Sequence, residues 1–207
     1  MGWWTVMAMA LSLLAGCADA PRKVAENPDS GFALYRSGRL SSADLGVLCG
    51  LGIEEILVLD GEGSARECLF RKTICPEMRV RYDHAQEEDT PVSVDFLEAF
   101  DDWIEEARTE GKKFAFRCRH GWHRTGRLAA YYRIRFEGAS AAEATEEMQS
   151  IGRMTWRHPT LDPQVEAYAD ILAERPCSAD SSDCPSGEPD AGLVDGRFPE
   201  YACSAGS

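Results

Sequence analysis

Apolar residues in this chain follow two patterns: short, largely apolar runs, and longer segments with helical spacing. The runs have the length of buried strands, and the plainest of them, 53–59, is followed by the turn residues Asp60 and Gly61. Similar runs occur at 32–35 and 114–117, and apolar residues alternate with arginines in the strand-like segment 78–82. Because segments with helical spacing separate these runs, the pattern predicts an α/β fold with a largely parallel central sheet flanked by helices.

Helix start signals agree with this order. Ser140 and Glu143 have the spacing of a capping box. Thr90 followed by Pro91 resembles an N-cap and a first helical residue. The helix predicted after them has one apolar face, formed by Leu97, Phe100, Ile104 and Ala107.

The chain has 207 residues and a formal net charge of -13, which sets the background for any candidate site. Its hydrophobic content of 44% is ordinary for a soluble fold, and its length is sufficient for one domain with a well-buried core. An acidic protein is a poor general binder of nucleic acid, so we exclude that class. Against this background, the arginines and histidines clustered at 117–127 stand out.

The cationic cluster surrounds a predicted loop between the strand at 114–117 and an apolar segment typical of a helix. Backbone N–H groups of a tight loop converge on its centre, and the following helix adds the positive end of its dipole. Such a concavity suits a phosphate dianion. Cys118 opens the loop and Arg124 closes it, which places a sulfur beneath a bound phosphate and a bidentate cation beside its oxygens.

A cysteine is a nucleophile only as the thiolate, and an ordinary cysteine with a pKa near 8.5 is only about 3% ionised at neutral pH. The loop carries cations that stabilise a thiolate, and Thr125 is placed to hydrogen-bond the sulfur or to assist its departure from phosphorus. Besides the N-terminus of the helix, the predicted stabilising groups are Arg117, Arg119, His123, Arg124 and Arg127.

The pattern Cys-x5-Arg-Thr at 118–125 resembles the active-site loop of cysteine-dependent protein tyrosine and dual-specificity phosphatases. The segment Gly-Trp-His-Arg-Thr-Gly at 121–126 is most similar to the atypical dual-specificity group of plants, fungi and bacteria, some of whose members cleave inositol pyrophosphates. The resemblance runs from Tyr35 to about Leu172. It implies the three-layer cysteine-phosphatase fold, a phosphocysteine intermediate on Cys118, and no metal or organic cofactor.

Two positions depart from that family's pattern. The family nearly always has a His before the Cys, where this chain has Arg117, which can replace the charge but not the same hydrogen bonds. The atypical group usually has a Lys where this chain has Trp122. An inactive loop around a buried structural cysteine is the alternative, but the retained cationic surroundings favour a reactive cysteine.

In the family, an acidic loop supplies the general acid that protonates the leaving oxygen. The corresponding stretch here is 83–91, which contains four carboxylates. The separation from Cys118 and the position just before a predicted helix favour Asp89 as the acid, with Asp83 and Glu88 as close rivals. A solvated acidic loop without a catalytic role explains the same carboxylates equally well.

The cations around the loop exceed what a single phosphate ester needs, which is about one Arg and the loop amides. Extra cations imply extra negative charge on the substrate. We therefore predict a small polyphosphorylated molecule, such as an inositol polyphosphate, in preference to a phosphoprotein. The predicted substrate-binding residues are Arg117, Arg119, His120, Gly121, Trp122, His123, Gly126 and Arg127.

Several alternative interpretations stay open. A protein tyrosine or dual-specificity phosphatase would use the same loop on phosphoproteins. An inactive lipoprotein would bind anionic ligands without turnover. A rhodanese-like sulfur transferase also carries a Cys on a loop beneath a helix, but it does not require the Arg and Thr found here. A metal site of Cys118, His120 and His123 would leave the same two residues unexplained.

Residues 1–16 resemble a bacterial lipoprotein signal peptide. Their apolar core at 3–14 is too short to span a membrane as a mature helix, and it ends in Leu-Ala-Gly-Cys, which is similar to a lipobox. The resemblance implies a lipid on Cys17 and a domain held at the bacterial cell envelope, outside the cytoplasm. A short uncleaved anchor is the alternative, and residues 17–30 are interpreted as a flexible tether.

Six further cysteines indicate disulfides, as expected of an exported protein. A zinc site is disfavoured because paired Cys-x2-Cys spacing is absent from the sequence. We expect a phosphatase domain at 31–175 and an irregular, cysteine-containing tail at 176–207. The most economical pairing joins Cys68 with Cys75, Cys177 with Cys184, and Cys49 with Cys203.

Overall fold

The computed structural model describes residues 20–61, 64–153, 155–201 and 203. The expected signal peptide and the expected lipid on Cys17 lie outside these residues. Within the described part of the chain, no helix is both long enough and apolar enough to cross a membrane.

Five strands of the described residues form one mostly parallel sheet. They are β1 (Arg22–Asn27), β2 (Phe32–Ser37), β3 (Glu55–Val58), β4 (Arg79–Asp83) and β5 (Lys113–Arg117). Their order across the sheet is β1-β2-β5-β3-β4, with β1 antiparallel to β2 and the other neighbours parallel. The carboxyl ends of the parallel strands therefore meet at one edge, where ligands bind in folds of this class.

The helices of the described chain connect the strands and cover the sheet. They are α1 (Ser42–Leu51), α2 (Ser64–Thr73), α3 (Val94–Glu110), α4 (Arg124–Glu137), α5 (Ala141–Ile151) and α6 (Leu161–Leu172). A short 3₁₀ helix, Thr155–Arg157, precedes α6. The capping box predicted at Ser140 is present at the start of α5.

Helices lie on both faces of the sheet, so the fold has three layers. On one face, residues of α1 and Phe70 of α2 share a buried cluster with Ile56 of β3. On the other face, Phe100 of α3 and residues of α4 and α6 share a second cluster with Phe116 of β5. This architecture confirms the predicted α/β fold with a largely parallel sheet flanked by helices.

The expected tether at 17–30 is wrong for residues 22–27, which form the edge strand β1. Val24 and Ala25 are buried against the core instead of being solvated. The pairing of β1 with β2 shifts register between Lys23 and Ala25, so two residues that are adjacent in sequence are both buried. This irregularity breaks the alternation by which a strand is recognised from sequence.

Helix α3 begins three residues later than predicted. Its N-cap is Ser93, not Thr90, and the Ser93 hydroxyl accepts a hydrogen bond from the backbone N–H of Phe96. Pro91 therefore belongs to the preceding loop. The predicted buried face is confirmed at Leu97, Phe100, Ile104 and Ala107.

Three disulfides join cysteines of the described chain, and two of them differ from the predicted pairs. The predicted bond between Cys68 and Cys75 is wrong because α2 occupies most of the chain between them. At 1.5 Å per helical residue the two lie about 10 Å apart, beyond the reach of about 7 Å between disulfide Cα atoms. The predicted pair of Cys49 and Cys203 is wrong as a consequence. The bonds observed are Cys49 with Cys75, Cys68 with Cys203, and Cys177 with Cys184 as predicted.

The tail expected at 176–207 is irregular in its described residues, but it contributes to the core. Phe198 is buried and contacts the rings of Phe96 and Trp103 edge-on, at centroid distances of 5.3 and 6.0 Å. Cys203 attaches the end of the tail to α2. The tail is therefore a structural part of the domain.

Replacing Cys68 and Cys203 together by Ser should lower the free energy of unfolding by about 2–4 kcal/mol, because their bond closes a loop with a sequence separation of 135. The matched double substitution at Cys177 and Cys184, with a separation of only 7, should cost about 2 kcal/mol less. Denaturant unfolding under oxidising conditions measures both costs. Equal costs would show that loop closure does not govern them.

Candidate active site

The loop singled out in the sequence lies at the carboxyl edge of the sheet, between β5 and α4; residues 118–124 are called the phosphate loop below. The segment after β2 supports it through two backbone hydrogen bonds. The N–H of Cys118 donates to the carbonyl of Ser37 at 3.3 Å, and the N–H of Arg39 donates to the carbonyl of Arg119 at 3.0 Å. The parallel pairing of β2 with β5 therefore continues into the loop and fixes its position.

The surroundings of the buried Cys118 thiol suit a thiolate. Among the described cysteines, Cys118 alone has a free thiol. The backbone N–H of Gly121 donates to its Sγ at 3.2 Å. The predicted contact with Thr125 is also present, with 3.8 Å between Oγ1 and Sγ. An amide directed at the sulfur, next to the N-terminus of α4, stabilises a negative charge there.

Gly121 adopts a conformation that residues with side chains rarely tolerate, with φ of 72°. A Cβ at this position would lie 2.6 Å from the backbone nitrogen of Gly38 and 2.7 Å from the carbonyl carbon of Ser37. Only glycine therefore allows this backbone N–H to point at the sulfur. Gly121 acts through its main chain, as a loop amide.

Gly121→Ala should slow alkylation of Cys118 by iodoacetamide at least tenfold, because one hydrogen bond to a charged group is worth about 1.5–3 kcal/mol. Gly138→Ala is a matched control, since Gly138 also has a positive φ, of 71°, but a Cβ there would meet nothing within 4 Å. Alkylation rates of both variants at neutral pH provide the measurement. Equal rates would mean that the Gly121 amide does not stabilise the thiolate.

Arg124, predicted to hold phosphate oxygens, contacts the acid loop, here residues 83–91. Its guanidinium donates to the carbonyl of Gln86 at 3.0 Å and to Oε1 of Glu88 at 3.1 Å. Contact with His123 lowers the pKa of Glu88, and burial raises it. The charge of Arg124 lowers it further, so that the pKa falls to about 2. Glu88 is therefore ionised at neutral pH and occupies the guanidinium that a phosphate would need.

His123 is buried between the phosphate loop and the segment before α6. Its Nε2 lies 2.9 Å from the carbonyl oxygen of Arg153, and its Nδ1 faces Oε1 of Glu88 at 3.5 Å. Burial lowers the pKa of this imidazole, but the Glu88 carboxylate and the Arg153 carbonyl outweigh burial and leave the pKa raised. Both nitrogens thus face protein groups in the described conformation, not a substrate.

Asp89, the predicted general acid, is held by residues next to α6. Its Oδ1 accepts hydrogen bonds from Nδ1 of His158 at 3.2 Å and from Oγ1 of Thr160 at 3.1 Å. Glu88, named as a rival, is the carboxylate that reaches Arg124. Asp89 would have to leave these partners before it could serve a leaving group.

The structure contradicts the prediction that Arg117 binds substrate. Its side chain is fully buried, and its guanidinium donates to Oδ1 of Asp60 at 2.5 Å and to Oε1 of Glu67 at 2.6 Å. Burial raises the pKa of Asp60, but the charges of Arg117 and Arg39 outweigh burial and leave it lowered. Arg117 is therefore a structural anchor that ties β5 to α2 and to the end of β3.

The side chain of Arg127 likewise donates its hydrogen bonds to other groups of the protein. Its buried guanidinium donates to the carbonyls of Glu88 at 3.2 Å and Thr90 at 2.5 Å, and to the side chain of Gln164 at 2.8 Å. The prediction that Arg127 binds substrate is wrong for this conformation. Arg127 instead holds the acid loop against α4 and α6.

The remaining predicted substrate-binding residues differ in exposure. Arg119 and His120 are exposed, and Trp122 stacks on His120 with ring centroids 5.4 Å apart. The guanidinium of Arg153 lies 5.7 Å from the centre of the Trp122 ring, so Arg153, Trp122 and His120 form a cationic and aromatic rim, and the exposed Arg119 directly precedes His120 in the chain. Gly126 has a packing role, because a Cβ there would lie 2.9 Å from a side chain of α5.

Sequence analysis missed a buried cation at this site. Arg36 of β2 is only 2% exposed, and burial lowers its pKa to about 10, against the opposing effect of the Glu147 charge. Arg36 is therefore still cationic at neutral pH. It reaches the site because β2 pairs with β5, opposite Phe116, and no local sequence pattern reveals that pairing.

Neither a protein-family model nor a curated protein matches the sequence. Solved structures do match. TpbA of Pseudomonas aeruginosa has a TM-score of 0.51 and 21% identity, covering 73% of this chain and 96% of its own. Tk-PTP in its active form has a TM-score of 0.51 and 22% identity, covering 69% and 92%. The core catalytic domain of Siw14 from S. cerevisiae has a TM-score of 0.52 and 23% identity, covering 68% and 83%.

The names of these neighbours refer to phosphatases. TpbA is a tyrosine phosphatase related to biofilm formation, and Siw14 is a PP-IP phosphatase. Identities of this size establish likeness of fold. The chain therefore has the α/β fold of these phosphatases, and its phosphate loop lies at the carboxyl edge of the sheet.

Proposed function

We propose that this chain is a cysteine-dependent phosphatase that hydrolyses phosphate monoesters or anhydrides. The observation that carries the proposal is the buried thiol of Cys118 on a strand–loop–helix turn, with an amide N–H 3.2 Å from its sulfur. Arg124 closes the same loop at the N-terminus of α4, where an anion is favoured. The likeness to solved phosphatases supports the same class.

In the proposed reaction, the Cys118 thiolate attacks phosphorus in line, so that an S–P bond forms as the P–O bond to the leaving group breaks. Arg124 and the loop amides hold the other phosphate oxygens. An acid gives its proton to the leaving oxygen. Water then attacks the phosphocysteine, releases inorganic phosphate, and returns the sulfur to its place beside Thr125. Glu88 must give up Arg124 for the substrate to bind.

We propose Asp89 as the acid, as the resemblance implies. Glu88 is a poor proton donor because its pKa of about 2 leaves it ionised at neutral pH. Asp89 lies next to Glu88 on the same loop and is exposed. Release from His158 and Thr160 would free its carboxyl for the leaving group.

The acid is tested with leaving groups of different basicity. Asp89→Asn should slow hydrolysis of an alkyl phosphate about 100-fold, but it should barely affect a nitrophenyl phosphate, whose leaving oxygen needs no proton. Glu88→Gln is the matched control and should show no such dependence. The opposite result, with the dependence confined to Glu88→Gln, would transfer the role to Glu88.

We propose a small polyphosphorylated molecule, such as an inositol polyphosphate, as substrate. Arg117 and Arg127 no longer support this substrate, because both are committed inside the protein. Arg119 and Arg153 at the rim carry the argument instead, and Siw14 is a PP-IP phosphatase. A phosphotyrosine protein is the second candidate, since a TpbA variant was solved in complex with pTyr.

Comparing kcat/KM for an inositol polyphosphate and a phosphotyrosine peptide at low and high salt separates the two candidates. The double variant Arg119→Gln, Arg153→Gln should lower kcat/KM for the polyphosphate about tenfold and leave the peptide nearly unchanged, since each exposed charge is worth up to about 1 kcal/mol. Arg157→Gln is a matched control, because the Arg157 guanidinium stacks on Trp156 and not on Trp122 of the rim. A preference for the peptide with little salt dependence would contradict the polyphosphate proposal.

We further propose that the domain is lipid-anchored through Cys17 at the bacterial cell envelope, outside the cytoplasm. The disulfides of the described chain support an oxidising compartment. Cys17→Ser should abolish incorporation of labelled palmitate and move the protein out of the membrane fraction. Unchanged membrane association without any label would sink this proposal.

A further inference from the structure

Three potential metal ligands from separate segments meet beside the phosphate loop: Glu88 of the acid loop, His123 of the phosphate loop and His158 before α6. One ligand atom from each lies within 4.8 Å of the others. Nδ1 of His123 is 3.5 Å from Oε1 of Glu88, and Nε2 of His158 is 3.5 Å from Oε2. Tetrahedral zinc ligands at about 2.0–2.2 Å from the ion are about 3.3–3.6 Å apart, and the 3.5 Å from the Glu88 carboxylate to each imidazole nitrogen matches this spacing.

The buried ring of His123 directs an unbonded nitrogen at this point. Its side chain is only 7% exposed, and its Nδ1 makes no hydrogen bond. Its Nε2 lies 2.9 Å from the carbonyl oxygen of Arg153, which can only accept, so Nε2 is the donor. This contact fixes the ring with Nδ1 facing Glu88. A metal ion there would take the place of a proton between Nδ1 and the carboxylate.

His158 is arranged in the same way. Its Nδ1 lies 3.2 Å from Oδ1 of Asp89, while its Nε2 faces Glu88. A carbonyl or carboxylate on the far nitrogen is the usual support of a metal-bound histidine, since it fixes the tautomer and raises the basicity of the ligand nitrogen. Arg153 supplies this support to His123, and Asp89 supplies it to His158.

We propose that Glu88, His123 and His158 bind a divalent transition metal ion, with Zn²⁺ as the best match. Two imidazoles and one carboxylate are a donor set that zinc uses with a fourth position open. Mg²⁺ and Ca²⁺ prefer oxygen ligands and fit the two imidazoles poorly. This set shares only His123 with the cysteine-containing set considered from the sequence.

The site connects metal binding to the proposed function without depending on it. Oε1 of Glu88 is also the partner of Arg124 at 3.1 Å. An ion bound to all three ligands ties the acid loop to the phosphate loop and prevents the rearrangement that substrate requires. Bound Zn²⁺ should therefore inhibit turnover reversibly, while binding itself is measurable without any substrate.

Binding is tested by calorimetric titration of the full-length, untagged, oxidised chain with Zn²⁺, and by the absorption spectrum with Co²⁺. We expect one equivalent to bind, and a Co²⁺ spectrum without a thiolate charge-transfer band. His158→Gln should weaken binding at least about 100-fold, because even an outer-shell partner of a metal ligand is worth about 10–100-fold. His84→Gln, at an exposed histidine of the acid loop outside the ligand set, is the matched control and should not change affinity. Thermal unfolding verifies that both variants fold.

Cys118→Ser separates this site from one that uses the thiolate, and it should retain Zn²⁺ affinity. Loss of binding in Cys118→Ser, or wild-type affinity in His158→Gln, would overturn the proposed site. The link to turnover would be supported if a chelator reverses inhibition by Zn²⁺. His158→Gln should then need at least about 100-fold more Zn²⁺ for the same inhibition. Binding without inhibition would overturn that link and leave the site standing.

Discussion

Cys118→Ser is expected to lower phosphate release by at least about 10⁴-fold while the protein stays folded. Serine is nearly isosteric with cysteine and can accept the same N–H of Gly121, so the phosphate loop should keep its shape. Its hydroxyl does not ionise near neutral pH, so the nucleophile is lost. Turnover of a nitrophenyl phosphate is measured together with the thermal unfolding midpoint.

Thr125→Val provides a matched control for this result. It removes the hydroxyl that lies 3.8 Å from the sulfur and keeps the thiol. The cost should be only about tenfold, the size of one hydrogen bond. Wild-type turnover in Cys118→Ser would mean that the phosphocysteine mechanism has to be abandoned.

Arg117→Met should lower the free energy of unfolding by about 3–5 kcal/mol, because it removes the buried cation that pairs with the carboxylates of Asp60 and Glu67. The side chains of Asp60 and Glu67 are only 3% and 1% exposed. Glu67 would lose its ion pair with Arg117, and Asp60 would retain its contact with Arg39 at 3.2 Å. Denaturant unfolding measures the loss.

Arg79→Met is the matched control for the buried arginine. Its guanidinium is 56% exposed and lies 3.8 Å from Glu200, so the substitution should cost less than about 1 kcal/mol. A triple variant, Arg117→Met with Asp60→Asn and Glu67→Gln, should recover part of the loss, since it removes the uncompensated charges. A cost near that of Arg79→Met would show that Arg117 is not an anchor.

The sequence was informative where structure is determined locally. The strand before Cys118, the loop and the helix that follows are contiguous, so their order alone predicted the phosphate loop and the Thr125 contact with sulfur. The buried faces of the helices were equally accessible, because their spacing repeats every few residues. The strands other than β1, and the largely parallel sheet that they form, followed from the same patterns.

Contacts between distant segments were beyond sequence analysis. The sequence shows that Arg117 and Arg127 are charged. That Arg117 pairs with α2 and Arg127 with the acid loop depends on which way each side chain faces. Edge strand β1 lacked alternation, and Phe198 was one of only two aromatic residues in a tail rich in turn formers. The pairing of Cys68 with Cys203 likewise required the tail to fold back on α2.

The measurement that tests the central claim most directly is capture of the covalent intermediate. A nitrophenyl phosphate is mixed with the enzyme and quenched in acid within one turnover, and the peptide containing Cys118 is then analysed by mass spectrometry. The account predicts one phosphoryl group on Cys118, formed at the rate of nitrophenol release and absent from Cys118→Ser. Turnover at the wild-type rate with phosphate never found on Cys118, or found on another residue, would contradict it.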